Sequence, residues 1–351
     1  MNDHTQPIGA LLTSSPPVMS DDEAAVLAAE FYGIKAKVRR LTSERDTNFQ
    51  LVDEDGRSFV LKIANAAEPP EITNLQTEAL LHIERRDASL PVPRMQRTRD
   101  GKAEIFITLK DKTTSLVRLL TFLEGEPLHR VPSSPKQRQN IGHCLARLGL
   151  VLRDFEHPAA DHDLLWDIKN ASRLRTLLPS IADKDLRSLA ERRLDLFDNE
   201  IAPVLPQLRS QVVHNDFNPH NVLVDVSDPD EIVGILDFGD MVKTPLIIDI
   251  AVASSYQIGD AEHPLAFVGE FVSAYHEISP LLPEEVDVLF DLIRTRLVTT
   301  IAITNWRAAR YPENRDYILR NNQPARAGLA RLETITRDEA RQCLRRACGL
   351  E

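Results

Sequence analysis

The hydrophobic and polar positions of the first 122 residues switch between helical and strand spacing. Ser20 and Glu23 have the spacing of a capping box, so a helix is predicted to begin there and to end near Gly33. Alternating runs with an Asp-Gly turn signal then predict an antiparallel sheet with one helix inserted after its third strand. The predicted strands cover residues 36–43, 47–53, 57–64, 103–109 and 116–122, and the inserted helix covers residues 71–86.

The pattern changes after residues 123–135, where three Pro and one Gly indicate a linker. Helical spacing dominates beyond it, interrupted by a strand–loop–strand–strand segment at 212–239. We therefore predict an α+β fold with two lobes, whose active site lies in the cleft between them. The predicted domains are an N-terminal tail (1–20), a sheet lobe (21–122), a hinge (123–135) and a helical lobe (136–351). The predicted helices of that last lobe are 136–156, 170–207, 245–258, 263–277, 283–310 and 324–347.

Composition narrows the class of partner. The 351 residues carry a net charge of −11, which disfavours a nucleic-acid partner, and contain no apolar run long enough for a membrane span. The N-terminal stretch lacks the basic start of a signal peptide, so we expect a mobile tail. Three sparse cysteines without metal-ligand spacing are typical of a reducing, cytoplasmic setting. None of these features predicts an oligomeric state.

The stretch VVHNDFNPHNVLVD, from Val212 to Asp225, places a polar loop between two apolar runs. Asp216 and Asn221 lie five positions apart in it, and Asp237 ends the next apolar strand, before Phe238-Gly239. Oxygen ligands of this kind suit Mg²⁺, which leaves room for substrate phosphates. Asn221 and Asp237 are therefore candidate metal ligands, and Asp216 is a candidate base for an attacking hydroxyl. We expect His214 to brace the loop.

Two other interpretations of this loop stay open at this point. Its Asp and Asn residues are also typical of turns, because their side chains bond to nearby backbone groups. Alternatively, His214, Asp216 and His220 are transition-metal ligands of a hydrolase. Neither alternative explains the Asp-Phe-Gly sequence that follows the later strand.

H-N-D-F-N-P-H-N followed by D-F-G-D resembles the catalytic core of the aminoglycoside phosphotransferase/choline kinase superfamily, which has a protein-kinase-like fold. The stretches LVRLLTFLEGEPL, GILDFGDM and YPEN are similar to the hydroxylysine kinase-like branch, and the resemblance runs from about residue 25 to 335. It implies that Asp216 is the catalytic base and that Asn221 and Asp237 bind Mg²⁺.

The sheet lobe offers candidates for binding a nucleoside triphosphate. Lys62 interrupts an apolar strand, which is costly unless its ammonium faces a cleft or an anion; a surface lysine is the alternative. The resemblance implies that Lys62 pairs with Glu78 of the following helix and binds phosphates. No glycine-rich phosphate loop is present, and the resemblance instead implies Ser43 and Asn48 near the β- and γ-phosphates, although polar hairpin residues are equally ordinary there.

The resemblance also implies a hinge that binds the base and a support for the catalytic loop. The Thr121 carbonyl and the Leu123 N–H are predicted to meet the base edge, which leaves ATP and GTP open as co-substrates. Asp249 interrupts an apolar helix, so it must have partners. The resemblance implies that it anchors the loop near His214.

The acceptor is expected to bind in the helical lobe. Asp240 is a candidate partner for an ammonium. Arg296 and Trp306, on one long helix, are candidate substrate-binding residues, with the arginine suited to a carboxylate; packing or a surface position is the alternative. The expected activity is transfer of the γ-phosphoryl of ATP or GTP to a hydroxyl of an amine or amino acid, with 5-hydroxylysine first. Alternatives are an aminoglycoside, choline or ethanolamine, homoserine, or a non-catalytic nucleotide-binding regulator. A protein kinase is disfavoured, because no activation loop follows Asp-Phe-Gly.

Overall fold

The computed structural model describes residues 14–43 and 45–351, so most of the predicted N-terminal tail lies outside the described residues. The chain divides into two compact units. The first contains the chain up to Gly125 together with Glu156–Ala160 and Val233–Gly239, and the second contains Glu126–Phe155, Asp161–Ile232 and Asp240–Glu351.

The first unit begins with the predicted capped helix. The Ser20 hydroxyl accepts from the Glu23 N–H, and the Glu23 carboxylate accepts from the Ser20 N–H. The helix continues through one π-helical turn and ends at Gly33, whose φ of 73° is left-handed, a region that favours glycine. The elements are α1 (Asp21–Leu27), β1 (Ala36–Leu41), β2 (Thr47–Asp53), β3 (Ser58–Ile63), α2 (Pro70–Arg86), β4 (Met95–Gln96), β5 (Glu104–Thr108) and β6 (Thr114–Thr121).

These strands form one antiparallel sheet in the order β1-β2-β3-β6-β4, with β5 also paired to β6. Phe49, Leu61 and Leu119 lie side by side across three strands, and all are buried in a core that includes residues of α1. Because successive strand residues point to opposite faces, the neighbouring row, Asn48, Lys62 and Arg118, lies on the other face. This polar row therefore lies on the face of the sheet opposite that core.

The second unit is mainly helical. Its strands are β7 (Glu126–Pro127), β8 (Ser210–Val213), β9 (Val222–Val224), β10 (Ile232–Ile235, which continues into the first unit) and β11 (Val242–Pro245). Its helices are α3 (Pro135–Leu152), α4 (Lys184–Leu196), α5 (Leu246–Ser254), α6 (Ala266–Ile278), α7 (Pro283–Arg310), α8 (Arg315–Ile318), α9 (Asn322–Leu332) and α10 (Arg337–Ala347).

The long helix α7 has the predicted bounds and is buried over most of its length, with α5, α9 and α10 packed against it. Two predicted helices are broken in the structure. The segment 170–207 consists of 3₁₀ turns, α4 and a π turn, because Pro179 lies in one break and Asp183 caps a new helix. The segment 324–347 divides at Thr336, which caps α10 through the Glu339 N–H.

Two short antiparallel pairs support the polar loop of the second unit. β8 pairs with β11, and β9 pairs with β7, so the loop between β8 and β9 is held at both ends. Cys144, Cys343 and Cys348 are free thiols. Among the described helices, none is both long and apolar enough to cross a bilayer.

Candidate active site

The loop from His214 to Asn221 connects β8 to β9 and is folded by its own polar groups. The Asn218 N–H donates to the Asp216 carbonyl at 2.8 Å, the Asn221 N–H donates to the Asn218 carbonyl at 2.9 Å, and the Asn218 side-chain oxygen accepts from the His220 N–H at 2.8 Å. Asn218 is thus a turn residue, as the simpler interpretation of the loop held for it. The Asp216 and Asn221 side chains have a different arrangement.

The Asp216 carboxylate is held through both of its oxygens. The Asn221 amide nitrogen donates to Asp216 Oδ2 at 2.8 Å and to the Asp216 carbonyl at 3.0 Å. The Arg296 guanidinium approaches Asp216 Oδ1 at 3.4 Å. Because the Asn221 nitrogen is engaged with Asp216, its amide oxygen is the group directed to another partner, and an amide oxygen is a suitable ligand for a hard cation.

Arg296 is a buried cation whose side chain is 2% exposed. It donates to the Trp166 carbonyl at 3.3 Å, lies 5.1 Å from the Trp166 ring centroid and bonds to the Tyr256 hydroxyl. Burial lowers the pKa of Arg296, but Tyr256, Asp216 and Asp240 outweigh burial and raise the pKa above its usual value. These contacts favour a role in positioning Asp216 over the predicted direct contact with a substrate carboxylate.

Asp249 supports the loop by accepting hydrogen bonds from the loop's backbone N–H groups. Its carboxylate, 3% exposed, accepts the Asn215 N–H at 2.8 Å and also the His214 N–H. Burial raises the pKa of Asp249 to about 6, against the opposing effect of those two N–H groups and of Arg296. Asn215 has a left-handed φ of 61°, which the hydrogen bond to Asp249 helps to hold. These contacts are the kind of support predicted for Asp249.

His214 is fully buried and braces the same loop. Its Nδ1 accepts the Asp216 N–H at 3.3 Å, and its ring packs edge-on against Phe217, with centroids 5.8 Å apart. His220 points elsewhere, towards Asn321 at 3.3 Å and the His129 ring. Among the described residues, no group of three His, Cys, Asp or Glu side chains is arranged to hold a metal ion. The transition-metal interpretation of His214, Asp216 and His220 therefore has no geometric support.

Lys62 lies in a polar row that crosses the sheet of the first unit. Strand register places Asn48, Lys62, Arg118 and Glu104 side by side on β2, β3, β6 and β5. The Lys62 ammonium lies 3.8 Å from the Asp46 carboxylate, and within the described residues it forms no ion pair with Glu78. The Asn48 amide oxygen is buried and has no hydrogen-bond partner among the described residues. The row thus presents a lysine beside an amide whose oxygen is unsatisfied among the described residues.

Arg118 is a functional candidate that the sequence analysis missed. It is 3% exposed and donates to Gln76 Oε1 at 2.9 Å and to the Thr73 carbonyl at 3.3 Å, both on α2. Burial lowers the pKa of Arg118, against the raising effect of Asp46, Glu68, Glu104 and Asp237. The signal was available, because an arginine interrupts the apolar β6 just as Lys62 interrupts β3. Arg118, rather than Lys62, connects the sheet to α2.

Asp237 occupies a left-handed backbone conformation, with φ at 55°, and its side chain is exposed. Its Oδ1 accepts the Gly239 N–H at 3.1 Å. A Cβ at position 239 would lie 2.9 Å from that same oxygen and 3.2 Å from Nη2 of Arg45, so glycine leaves both side chains in their observed positions and a larger residue would move them. An exposed carboxylate on a residue with a left-handed backbone conformation is typical of a functional site, and carboxylate oxygens are ligands that a hard cation prefers.

The other predicted residues have the following positions. Thr121 ends β6, where its N–H donates to the Arg94 carbonyl and its hydroxyl accepts from the Arg94 N–H, both at 2.9 Å. Ser43 and Leu123 are half-buried. Asp240 is buried and acts on Arg296, while the Trp306 ring contacts the Arg310 guanidinium at 5.4 Å. The nucleotide and acceptor roles of these residues stay predictions.

The loop holds its aspartate through both carboxylate oxygens, and an Asp-Phe-Gly turn follows a later strand, as expected for a phosphoryl-transfer enzyme. The sequence profile of the phosphotransferase enzyme family matches residues 37–289, so the chain belongs to that family. The chain is a small-molecule phosphotransferase with a kinase-like, two-lobed α+β fold.

The chain is similar to several known kinases. It is 27% identical to a hydroxylysine kinase of Mus musculus over 329 residues, 87% of each chain. It is 26% identical to a homoserine kinase of Methylobacillus flagellatus, over 68% of this chain and 70% of that one. The solved structure of the amicoumacin kinase hAmiN, in complex with AMP-PNP, Ca²⁺ and Ami, superposes with a TM-score of 0.66 at 18% identity, over 92% of this chain and 94% of that one.

Proposed function

We propose that this protein transfers the γ-phosphoryl group of ATP or GTP to the hydroxyl of an amino acid or related amine, with 5-hydroxylysine as the leading acceptor. The observation that carries the proposal is the Asp216 carboxylate, fixed by Asn221 at 2.8 Å and by Arg296 at 3.4 Å. The similarity to hydroxylysine kinase over 87% of the chain supports the choice of acceptor. Homoserine is the second candidate, because a homoserine kinase is also a relative.

In the proposed reaction, Asp216 aligns the acceptor hydroxyl and accepts its proton as the oxygen attacks phosphorus. The bond between the γ-phosphorus and the bridging oxygen breaks, and the nucleoside diphosphate leaves. Because Asn221 and Arg296 fix both oxygens of Asp216, the lone pair that receives the proton has a defined direction. His214 and Asp249 keep this loop in place through its backbone N–H groups.

Asn221 and Asp237 are the residues we propose for binding Mg²⁺. Their oxygens fit a hard cation, since the Asn221 amide oxygen points away from Asp216 and the Asp237 carboxylate is exposed. When bound, such a cation neutralises charge on the nucleotide phosphates. Asp237→Ala should abolish turnover, and chelation of the metal should do the same reversibly. Turnover at the wild-type rate in Asp237→Ala would contradict this role.

Lys62 and Asn48 are the residues we propose for the nucleotide phosphates. They are adjacent on neighbouring strands, and the side-chain amide nitrogen of Asn48 would donate to a phosphate oxygen. Lys62 supplies a point charge for phosphate oxygens. The predicted contacts of Ser43 with phosphate, and of the Thr121 carbonyl and Leu123 N–H with the base, complete the proposed nucleotide site.

The decisive experiment is a nucleoside-diphosphate release assay with Mg²⁺ over hydroxylated amino acids, amino alcohols, choline and aminoglycosides, run with ATP and with GTP. We expect 5-hydroxylysine to give the highest kcat/KM. Asp216→Asn should lower kcat by about 100–10,000-fold, the usual contribution of a general base. Asp228→Asn, which changes an exposed carboxylate in the turn after β9, is the matched control and should behave like the wild type. The proposal is overturned if none of these compounds causes acceptor-dependent release of nucleoside diphosphate.

A further inference from the structure

A cavity of about 340 Å³ lies within the second unit, beside the catalytic loop. Its volume is in the range of sites for small molecules. The catalytic loop contributes Pro219 and His220, α7 contributes Leu297 and Thr300, and the chain around the start of α9 contributes Arg320 and Asn321. The cavity was not anticipated from the sequence, because its walls come from segments far apart along the chain.

The charge of this cavity is opposite to that of the protein. The described lining includes one guanidinium, Arg320, and two imidazoles, His129 and His220, whose ring centroids are 4.1 Å apart, but no carboxylate. The whole chain carries a net charge of −11. Burial, His129 and Arg320 together lower the pKa of His220. Burial raises the pKa of Tyr256, and the positive charge of Arg320 opposes that rise. A pocket of this kind favours an anion over a cation.

The cavity is connected to the proposed base by a short chain of hydrogen bonds. Tyr256 lines the cavity and bonds to Arg296, and Arg296 approaches Asp216 Oδ1 at 3.4 Å. A ligand bound against Tyr256 therefore lies two side chains from the carboxylate that we propose accepts the acceptor's proton. This proximity connects the cavity to the acceptor rather than to the nucleotide base, which we place in the first unit.

We propose that this cavity binds the α-carboxylate of an amino-acid acceptor, with Arg320 as its cationic partner. The inference rests on the proposed function and narrows it, because it selects amino acids over choline, ethanolamine and aminoglycosides, which carry no carboxylate. A guanidinium offers two parallel N–H groups to a carboxylate, and Arg320, which also donates to the Tyr317 carbonyl at 3.2 Å, is the guanidinium in the described lining, where it would repel a polycation. Arg320 is a specificity residue in this scheme, and Asp216 remains the catalytic one.

Matched acceptor pairs test the carboxylate directly. 5-Hydroxylysine is compared with 1,5-diaminopentan-2-ol, and homoserine with 3-aminopropan-1-ol; each pair shares its hydroxyl and amine and differs in the carboxylate. We expect the carboxylate to raise kcat/KM at least about tenfold, and Arg320→Gln to remove most of that difference through KM, with the KM for nucleotide unchanged. Arg326→Gln is the control, because Arg326 pairs with Asp183 and does not line the cavity.

Calorimetric binding separates this inference from the proposed reaction. L-Lysine and cadaverine lack a hydroxyl, so their binding does not depend on phosphoryl transfer. Tighter binding of L-lysine to the wild type, lost in Arg320→Gln but kept in Arg326→Gln, supports the carboxylate site even if the acceptor assay fails. Equal binding of the two compounds, or equal kcat/KM within each acceptor pair, overturns the carboxylate site while leaving the phosphotransferase activity standing.

Discussion

Arg296 and Asp216 form an ion pair at 3.4 Å in which the arginine side chain is 2% exposed and the aspartate is the proposed base. Asn221 contacts one carboxylate oxygen of Asp216 and Arg296 contacts the other, so replacing Arg296 removes one of these two contacts. We expect Arg296→Met to lower kcat by about 10–100-fold, the effect of misplacing a reacting group by about 1 Å, with the KM for nucleotide within about twofold of the wild type. Steady-state kinetics with the best acceptor measure both.

Arg294→Met is the control for this substitution. Arg294 lies on the same helix, is also buried and pairs with Asp291, so its loss removes a similar buried cation away from Asp216. We expect it to change the thermal midpoint more than kcat. Equal losses of kcat in the two variants would mean that Arg296 acts through general stability and not through Asp216.

Gly239 predicts a second kinetic effect. In Gly239→Ala the new methyl group would lie 2.9 Å from Asp237 Oδ1, so the carboxylate must move. We expect kcat to fall about 10–100-fold, with a higher Mg²⁺ concentration needed for half-maximal rate, because misplacement of a group that positions the reactants has effects of this size. The readout is the rate as a function of Mg²⁺.

Gly269→Ala serves as the comparison for that variant. Gly269 lies within α6, and its new Cβ would be 3.8 Å from the Ala347 Cβ, an ordinary contact. It should leave kcat unchanged and stabilise the protein by about 0.5–1 kcal/mol, the usual helical preference for alanine. If Gly239→Ala keeps wild-type kinetics, Asp237 does not need its observed orientation.

The carboxylate partner of Lys62 is testable by three substitutions. Lys62→Met should raise the KM for nucleotide at least about tenfold, as expected for loss of a charged phosphate contact. Asp46→Asn should lower that KM about two- to fivefold, since the Asp46 carboxylate, 3.8 Å from the ammonium, competes with phosphate. Glu78→Gln should leave it within about twofold. A larger effect of Glu78→Gln than of Asp46→Asn would restore the pairing that the sequence predicted.

Asp249 predicts how stability depends on pH. Its pKa is about 6 in the folded protein, above the ordinary value of 3.8, so the native state binds the extra proton between these values. The contribution of a group with a raised pKa is present below the unfolded pKa and is lost as pH rises through the folded pKa. We expect the unfolding free energy of the wild type, relative to Asp249→Asn, to fall between about pH 4 and 6, by at most about 3 kcal/mol.

Denaturant unfolding of both proteins across pH 4 to 7 measures this difference. The Asp249→Asn variant keeps one side-chain oxygen for the Asn215 N–H while it loses the titrating group, so it is the appropriate reference. A difference in unfolding free energy that does not change across this range would contradict the raised pKa.

The sequence predicts the strands and helices best where a local signal coincides with periodicity. The Ser20–Glu23 box, the Asp55-Gly56 turn and the bounds of α7 all follow from residues close together in the chain. Two predicted helices are too long, because the apolar spacing continues across Asp183 and Thr336, where N-caps end one helix and begin the next.

The sequence predicts those residues of the candidate site that lie close together in the chain, and it misses residues whose surroundings come from distant segments. Asp216 and Asn221 share one loop, so their spacing identifies them together. Arg118 and Arg320 acquire their surroundings only from the fold, through strand register and through a cavity built from distant segments. Asp216 and Asn221 belong to the second unit, whereas Lys62 and Asp237 belong to the first. That the two aspartates converge on one metal ion facing the Lys62 ammonium stays a prediction.

Arg118 has a consequence for regulation. A buried guanidinium connects α2 to the sheet through Gln76 and the Thr73 carbonyl, so outward movement of that helix would break both hydrogen bonds and leave a buried charge without these partners. Lys62 takes no part in that fastening. We therefore expect α2 to have no low-energy position away from the sheet. The reaction rate should then depend on the concentrations of the two substrates and not on a conformational switch in this helix.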